Sequence, residues 1–171
     1  ERLLAFCNNS GPAFIFGIVG SFIFGSVKLG ALIYGIHIFS SLLIGVLFKH
    51  AGSSSVSLPT YGIPSAAVPP FHNCFILSVS SSILSMVNIS GFIIFFSVFV
   101  KILSITDISD ILCGFVTMVF PFLKDGLASS AVTGLFELTT GICSLKGKLA
   151  DPALTAAVSS FLLGWAGISI H

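Results

Sequence analysis

The residues best suited to chemistry in this chain lie in Gly134-Leu135-Phe136-Glu137-Leu138-Thr139-Thr140-Gly141, where a carboxylate and two hydroxyls sit between glycines. Glu137 is the only glutamate beyond Glu1. A charge at the centre of a bilayer costs roughly 2.5–3.5 kcal/mol on insertion scales, so it persists only with a partner or a task. A second polar cluster, Asn8-Asn9-Ser10-Gly11-Pro12, lies near the other end. The two clusters are expected to face each other. Asn8, Asn9, Ser10, Thr139 and Thr140 offer hydrogen bonds to a small solute, and Glu137 can bind a proton or a cation such as Na+. Gly11, Pro12, Gly134 and Gly141 are read as the positions where the backbone breaks. The competing reading is structural: Glu137 pairs with a lysine or caps a half-helix and holds a bundle together.

Other chemistries find no footing. The chain has no G-x-S-x-G, H-E-x-x-H, P-loop or G-x-G-x-x-G pattern, so no enzyme is expected. Cys7, Cys74, Cys113 and Cys143 lack metal-ligand spacing and sit among apolar or small residues, as small hydrophobes do. No metal or other cofactor is expected, apart from H+ or Na+ as a coupling ion. A net charge of +1 leaves no footprint for nucleic acid.

The elements that position these residues follow from composition. The 171 residues are 55% hydrophobic and 8% charged, with a mean hydropathy of +1.11. Soluble domains are about 25% charged, because water must wet their surface. The chain is therefore read as an integral membrane protein. No basic segment leads into a short apolar core and cleavage site, so no signal peptide is visible. The start at Glu1, with no methionine before Met86, is expected of a piece of a longer protein.

Taken in order, Pro12 opens a helix whose small residues Ala13, Gly17, Ser21 and Gly25 fall at i+4 steps, a stripe that lets another membrane helix approach. Leu29 to Phe48 is an apolar run of spanning length, with His37 read as a satisfied interior histidine. Residues 49–70 form a Ser- and Pro-rich polar loop, and Lys49, His50 and His72 lean this side weakly toward the cytoplasm. From Phe71 to Leu103 the helical pattern is too long for one straight span, and Asn88-Ile89-Ser90-Gly91 is read as a polar break between its halves. Asp107 or Ser109 caps a helix from Ile111 to Phe122. Leu127 to Leu145 is too polar for an ordinary span; a half-helix re-entering the membrane fits it better. Pro152 starts a last helix through Ile170, with Trp165 suited to an interfacial belt.

Four strings carry a resemblance. Leu4-Ala5-Phe6-Cys7-Asn8-Asn9-Ser10-Gly11-Pro12-Ala13-Phe14-Ile15 resembles the signature of the YlbJ-type sporulation integral membrane proteins. Gly91 to Val98, Gly134 to Gly141 and Phe161 to Gly167 resemble later blocks of that family, in the same order. The resemblance implies an all-helical membrane protein of endospore-forming bacteria, similar to the nucleoside-recognition or Gate domain group, with repeated halves and re-entrant helices. It also implies passage of a small solute across a mother-cell or forespore membrane, with the spore-core anion dipicolinate or a nucleoside-like solute as candidates. Family members are about twice this length, so the chain resembles a C-terminal half that lacks its end.

The expectation is thus an all-α integral membrane protein, a polytopic bundle with interrupted and re-entrant helices, forming a single membrane domain over residues 1–171. Its expected partners are the lipid bilayer, a small-molecule solute, the N-terminal half of the same protein and, in a homo-oligomer, further copies of itself. The expected function is that of a transporter or permease component in endospore formation. The alternative is a structural membrane protein that scaffolds the sporulation machinery without transport.

Overall fold

A computed structural model describes residues 10–50, 70–123, 126–148 and 151–170. Helices α1 (Pro12–Ile23), α2 (Val27–His50), α3 (Phe71–Ile105), α4 (Ile108–Val119), α5 (Leu127–Phe136), α6 (Leu138–Cys143) and α7 (Pro152–Trp165) are followed by a 3-10 turn, Ile168–Ile170. No strand occurs among the described residues. Val27–Phe48 and Phe71–Ile105 are each long and apolar enough to cross a membrane. Most of their large side chains are exposed, as lipid-facing surfaces require, while Ile33 of α2 is buried in the core. The architecture is that of an all-α integral membrane protein.

Helix α1 starts as the sequence suggests, with Gly11 extended and Pro12 in the first turn. It then widens into a π-helix over Ile15–Ile23, in which the Phe24 amide reaches five residues back to the Val19 carbonyl at 3.2 Å. The widening changes which face packs. Ile15, Val19, Gly20 and Ile23 are buried, whereas Ala13, Gly17, Ser21 and Gly25 are exposed. The expected packing stripe therefore does not pack within the described chain. Close approach occurs instead at Gly20, where an added Cβ would stand 2.9 Å from the Gly30 Cα of α2. Gly25, with φ of +62°, turns the chain between the two helices. Ser26 Oγ accepts the Leu29 amide at 3.4 Å and caps α2.

Helix α3 is one uninterrupted helix, so the break expected at Asn88–Gly91 is absent. At 1.5 Å per residue it is about 52 Å long, against about 30 Å of hydrocarbon, and must project beyond the bilayer core. Its serines fit the helix because they bond within it: Ser82 and Ser85 donate to the Ser78 and Ser81 carbonyls at 2.8 and 2.9 Å. Helix α4 begins at Ile108, three residues earlier than expected. Asp107 occupies the cap position with φ of 57°, but its side chain makes no capping bond.

Helix α7 has a fully formed start. Asp151 Oδ1 accepts the Ala153 and Leu154 amides at 3.0 and 3.1 Å, ahead of Pro152 in the first turn. The helix ends at Trp165, short of the expected Ile170, because Ala166 and Gly167 both turn left-handed. One apolar core joins α1, α2 and α5 to α7, with Ile15, Val19, Ile142, Leu145, Leu162 and Leu163 almost wholly enclosed.

Candidate functional site

Helices α5 and α6 fold back on each other as an antiparallel hairpin with Glu137 at its tip. The pairing is centred on that residue. Gly134 meets Gly141, where an added Cβ would lie 2.2 Å from the opposing Cα. One turn further out, Ser144 Oγ donates to Ser130 Oγ at 2.8 Å. At the base, Lys148 Nζ reaches Gly126 O at 3.1 Å and Ser130 Oγ at 2.8 Å.

The interruption is one extended residue, Glu137, with φ −140° and ψ 114°. Its amide closes α5 on Thr133 O at 2.9 Å, and its carbonyl receives the Gly141 amide at 3.1 Å. The glycines assigned to the breaks are helical and serve close approach instead. Gly11 likewise has an ordinary extended backbone and open space at its Cα, so nothing there demands glycine.

Glu137 is 1% exposed. Its Oε1 accepts the Thr139 amide at 2.8 Å, and Oε2 accepts the Thr140 amide. These are first-turn N–H groups that α6 leaves without helical partners, and the carboxylate also meets the positive end of the helix. Two further groups seal the tip. Trp165 Nε1 donates to Leu135 O at 3.0 Å, a carbonyl that a continuous helix would have bonded to Thr139. Gly167, with φ of +83°, lies under the interruption; an added Cβ would be 3.0 Å from the Leu138 amide nitrogen and 3.4 Å from Phe136 O. Helix α3 supplies a wall: Ser97 Oγ and Thr140 Oγ1 share a hydrogen bond of 3.1 Å, and Phe99 packs edge-on against Phe136 at 5.7 Å.

Glu137, Thr139, Thr140, Gly134 and Gly141 are thus brought together. Ser10 is not joined to them by any hydrogen bond among the described residues; its amide donates to His37 Nε2 at 3.3 Å. Pro12 and Gly11 start α1, which packs against α6 through the shared core. Asn8 and Asn9 lie outside the described residues, as does most of the polar loop 49–70. Reading the sequence alone misses Ser97, Gly167 and the Ser130–Ser144–Lys148 cluster. One signal for the cluster is present: glycines and serines stand in near-mirror positions on either side of Glu137, the mark of a hairpin rather than a span.

No family model matches the chain, and no solved structure matches it. The resemblance carried by the four strings is borne out in a curated relative, an integral membrane protein of sporulation. Along its whole length the chain is 29% identical to the sporulation integral membrane protein YlbJ of Bacillus subtilis (strain 168), of which it spans 47%, about half.

Proposed function

We propose that the chain is part of a transporter or permease acting in endospore formation, with the α5–α6 hairpin as a re-entrant element whose tip meets the solute path. The observation that carries this reading is the enclosed Glu137 carboxylate at a one-residue interruption, held by the Thr139 and Thr140 amides, with Thr140 also bonded through its hydroxyl to Ser97. Interrupted backbone at membrane depth is tolerated only where protein buries it or a watery cavity lines it, and transporters place solute and coupling-ion sites at such breaks. Glu137 is then the group that takes up a coupling proton or Na+. The solute is a small anion such as dipicolinate or a nucleoside-like molecule. The half of a longer protein that this chain does not span completes the path, and the membrane is that between mother cell and forespore. The similarity to a sporulation membrane protein supports the setting.

The test is solute accumulation in spores whose full-length protein carries Glu137→Gln. Accumulation should fall while protein levels hold. Normal accumulation at normal levels refutes the site.

A second reading has its own observation. Both carboxylate oxygens already serve the Thr139 and Thr140 amides, as a purely structural cap requires. A scaffold protein of the sporulation machinery would need nothing more from Glu137. Reconstituted full-length protein that moves no solute, together with sporulation lost on deletion within 51–69, favours that reading.

A further inference from the structure

The base of the hairpin holds a positive charge among oxygens. Lys148 follows α6, yet its Nζ crosses to the start of α5, donating to Ser130 Oγ at 2.8 Å and Gly126 O at 3.1 Å. Ser130 is 1% exposed. Ser144, on the opposite arm, adds its hydroxyl to Ser130 at 2.8 Å and is itself tied to Gly141 O at 2.8 Å. The lysine stem is also seated: an added Cβ on Gly126 would be 3.1 Å from Lys148 Cε, and Thr155 Oγ1 donates to the Lys148 carbonyl at 3.0 Å.

Placing a cation here is costly. Burial pulls the Lys148 ammonium below the usual lysine range, with Cys113 on α4 acting the other way. The neighbouring Lys146 shows the alternative, its ammonium resting 3.5 Å over the Phe22 ring of α1. Asp151, three residues further on, turns its Oδ1 to the first amides of α7. Among the described residues, what the ammonium bonds is the Gly126 carbonyl and the Ser130 hydroxyl, both neutral hard oxygens. Two neutral oxygens suit a single positive charge.

We propose that Lys148 is a tethered cation filling an oxygen-lined site between the two arms, so that the α5–α6 hairpin closes without a dissociable metal ion. The inference rests on the hairpin geometry and is independent of the transport reading. The tether occupies the place that a monovalent ion would take if the side chain were removed.

The test is backbone hydrogen exchange across 126–148 in the full-length protein, with chloride salts of sodium or the bulky cation N-methylglucamine. Wild-type protection should be the same in both. Lys148→Met should speed exchange in N-methylglucamine by about tenfold or more, as loss of charge-assisted hydrogen bonds implies. Sodium should restore protection in that variant, having taken the vacated site. Wild-type protection that depends on sodium overturns the proposal. So does a Lys148→Met protein that exchanges like wild type, or one that sodium fails to restore. Should Lys148→Met not fold, Ser130→Ala removes the nearest oxygen and leaves the tether. It should speed exchange with no response to sodium, and unchanged exchange or a sodium response overturns the proposal.

Discussion

Gly141 and Gly134 touch backbone to backbone across the hairpin, with an added Cβ on Gly141 falling 2.2 Å from the Gly134 Cα and 2.5 Å from its nitrogen. Neither neighbour is a side chain that can swing aside, so the arms must part to admit a methyl group. Gly141→Ala should destabilise the fold by about 3 kcal/mol, the upper end for overpacking. Gly91→Ala in α3 is the control. It has open space at its Cα and should gain about 0.5–1 kcal/mol from lost chain entropy. Unfolding in mixed micelles, followed by Trp165 fluorescence, checks both. Equal tolerance of the two alanines would refute the close approach.

The same logic separates the two glycines of α1. Gly20 meets the Gly30 Cα, and Gly17, in the stripe that the i+4 spacing singles out, meets nothing within 4 Å. Gly20→Ala should cost about 1–3 kcal/mol and Gly17→Ala should be neutral or better. Parallel thermal melts of the two variants decide the matter, and the reverse order would restore the α-helical register.

How far the sequence could be read depended on the kind of signal. Composition was enough for the membrane class, because too few charges exist to wet a surface. Pro12 and Pro152 announced their helix starts, because proline's fixed φ and missing N–H suit the first turn. The register of α1 was hidden, since a π-helix shifts the packed face by geometry that an i+4 pattern cannot anticipate. Asn88-Ile89-Ser90-Gly91 read as a break because these residues are poor helix formers; α3 nevertheless runs through them intact. Glu137 stood out as an expensive residue, but the partners of its tip come from Trp165, Gly167 and Ser97, far along the chain. Such long-range pairings leave no local trace.

Trp165 secures the interruption by donating to Leu135 O at 3.0 Å. Trp165→Phe keeps most of the apolar area and removes the donor. Loss of this bond should cost about 1 kcal/mol, the usual net worth of a hydrogen bond. Because the variant loses its fluorophore, far-UV circular dichroism is the readout. A melt within error of wild type would mean that the indole bond is replaced by another donor.

Glu137 does two jobs that a substitution can separate. As a cap, it needs only an acceptor for the Thr139 and Thr140 amides. As a coupling group, it needs a charge. Asparagine ranks among the best capping residues and carries no charge, so Glu137→Asn keeps the first job and removes the second. Stability should then fall by no more than about 1 kcal/mol, the usual scale of a cap. If the carboxylate takes up a coupling ion, solute movement by the reconstituted full-length protein should still drop by at least about tenfold, the equivalent of 1.4 kcal/mol in a barrier. Protein that melts and transports like wild type would leave capping as the whole reason for the residue. Protein that transports poorly only because it is unfolded would show in the same melts, and Glu137→Asp, which retains both charge and cap, should then recover stability ahead of activity.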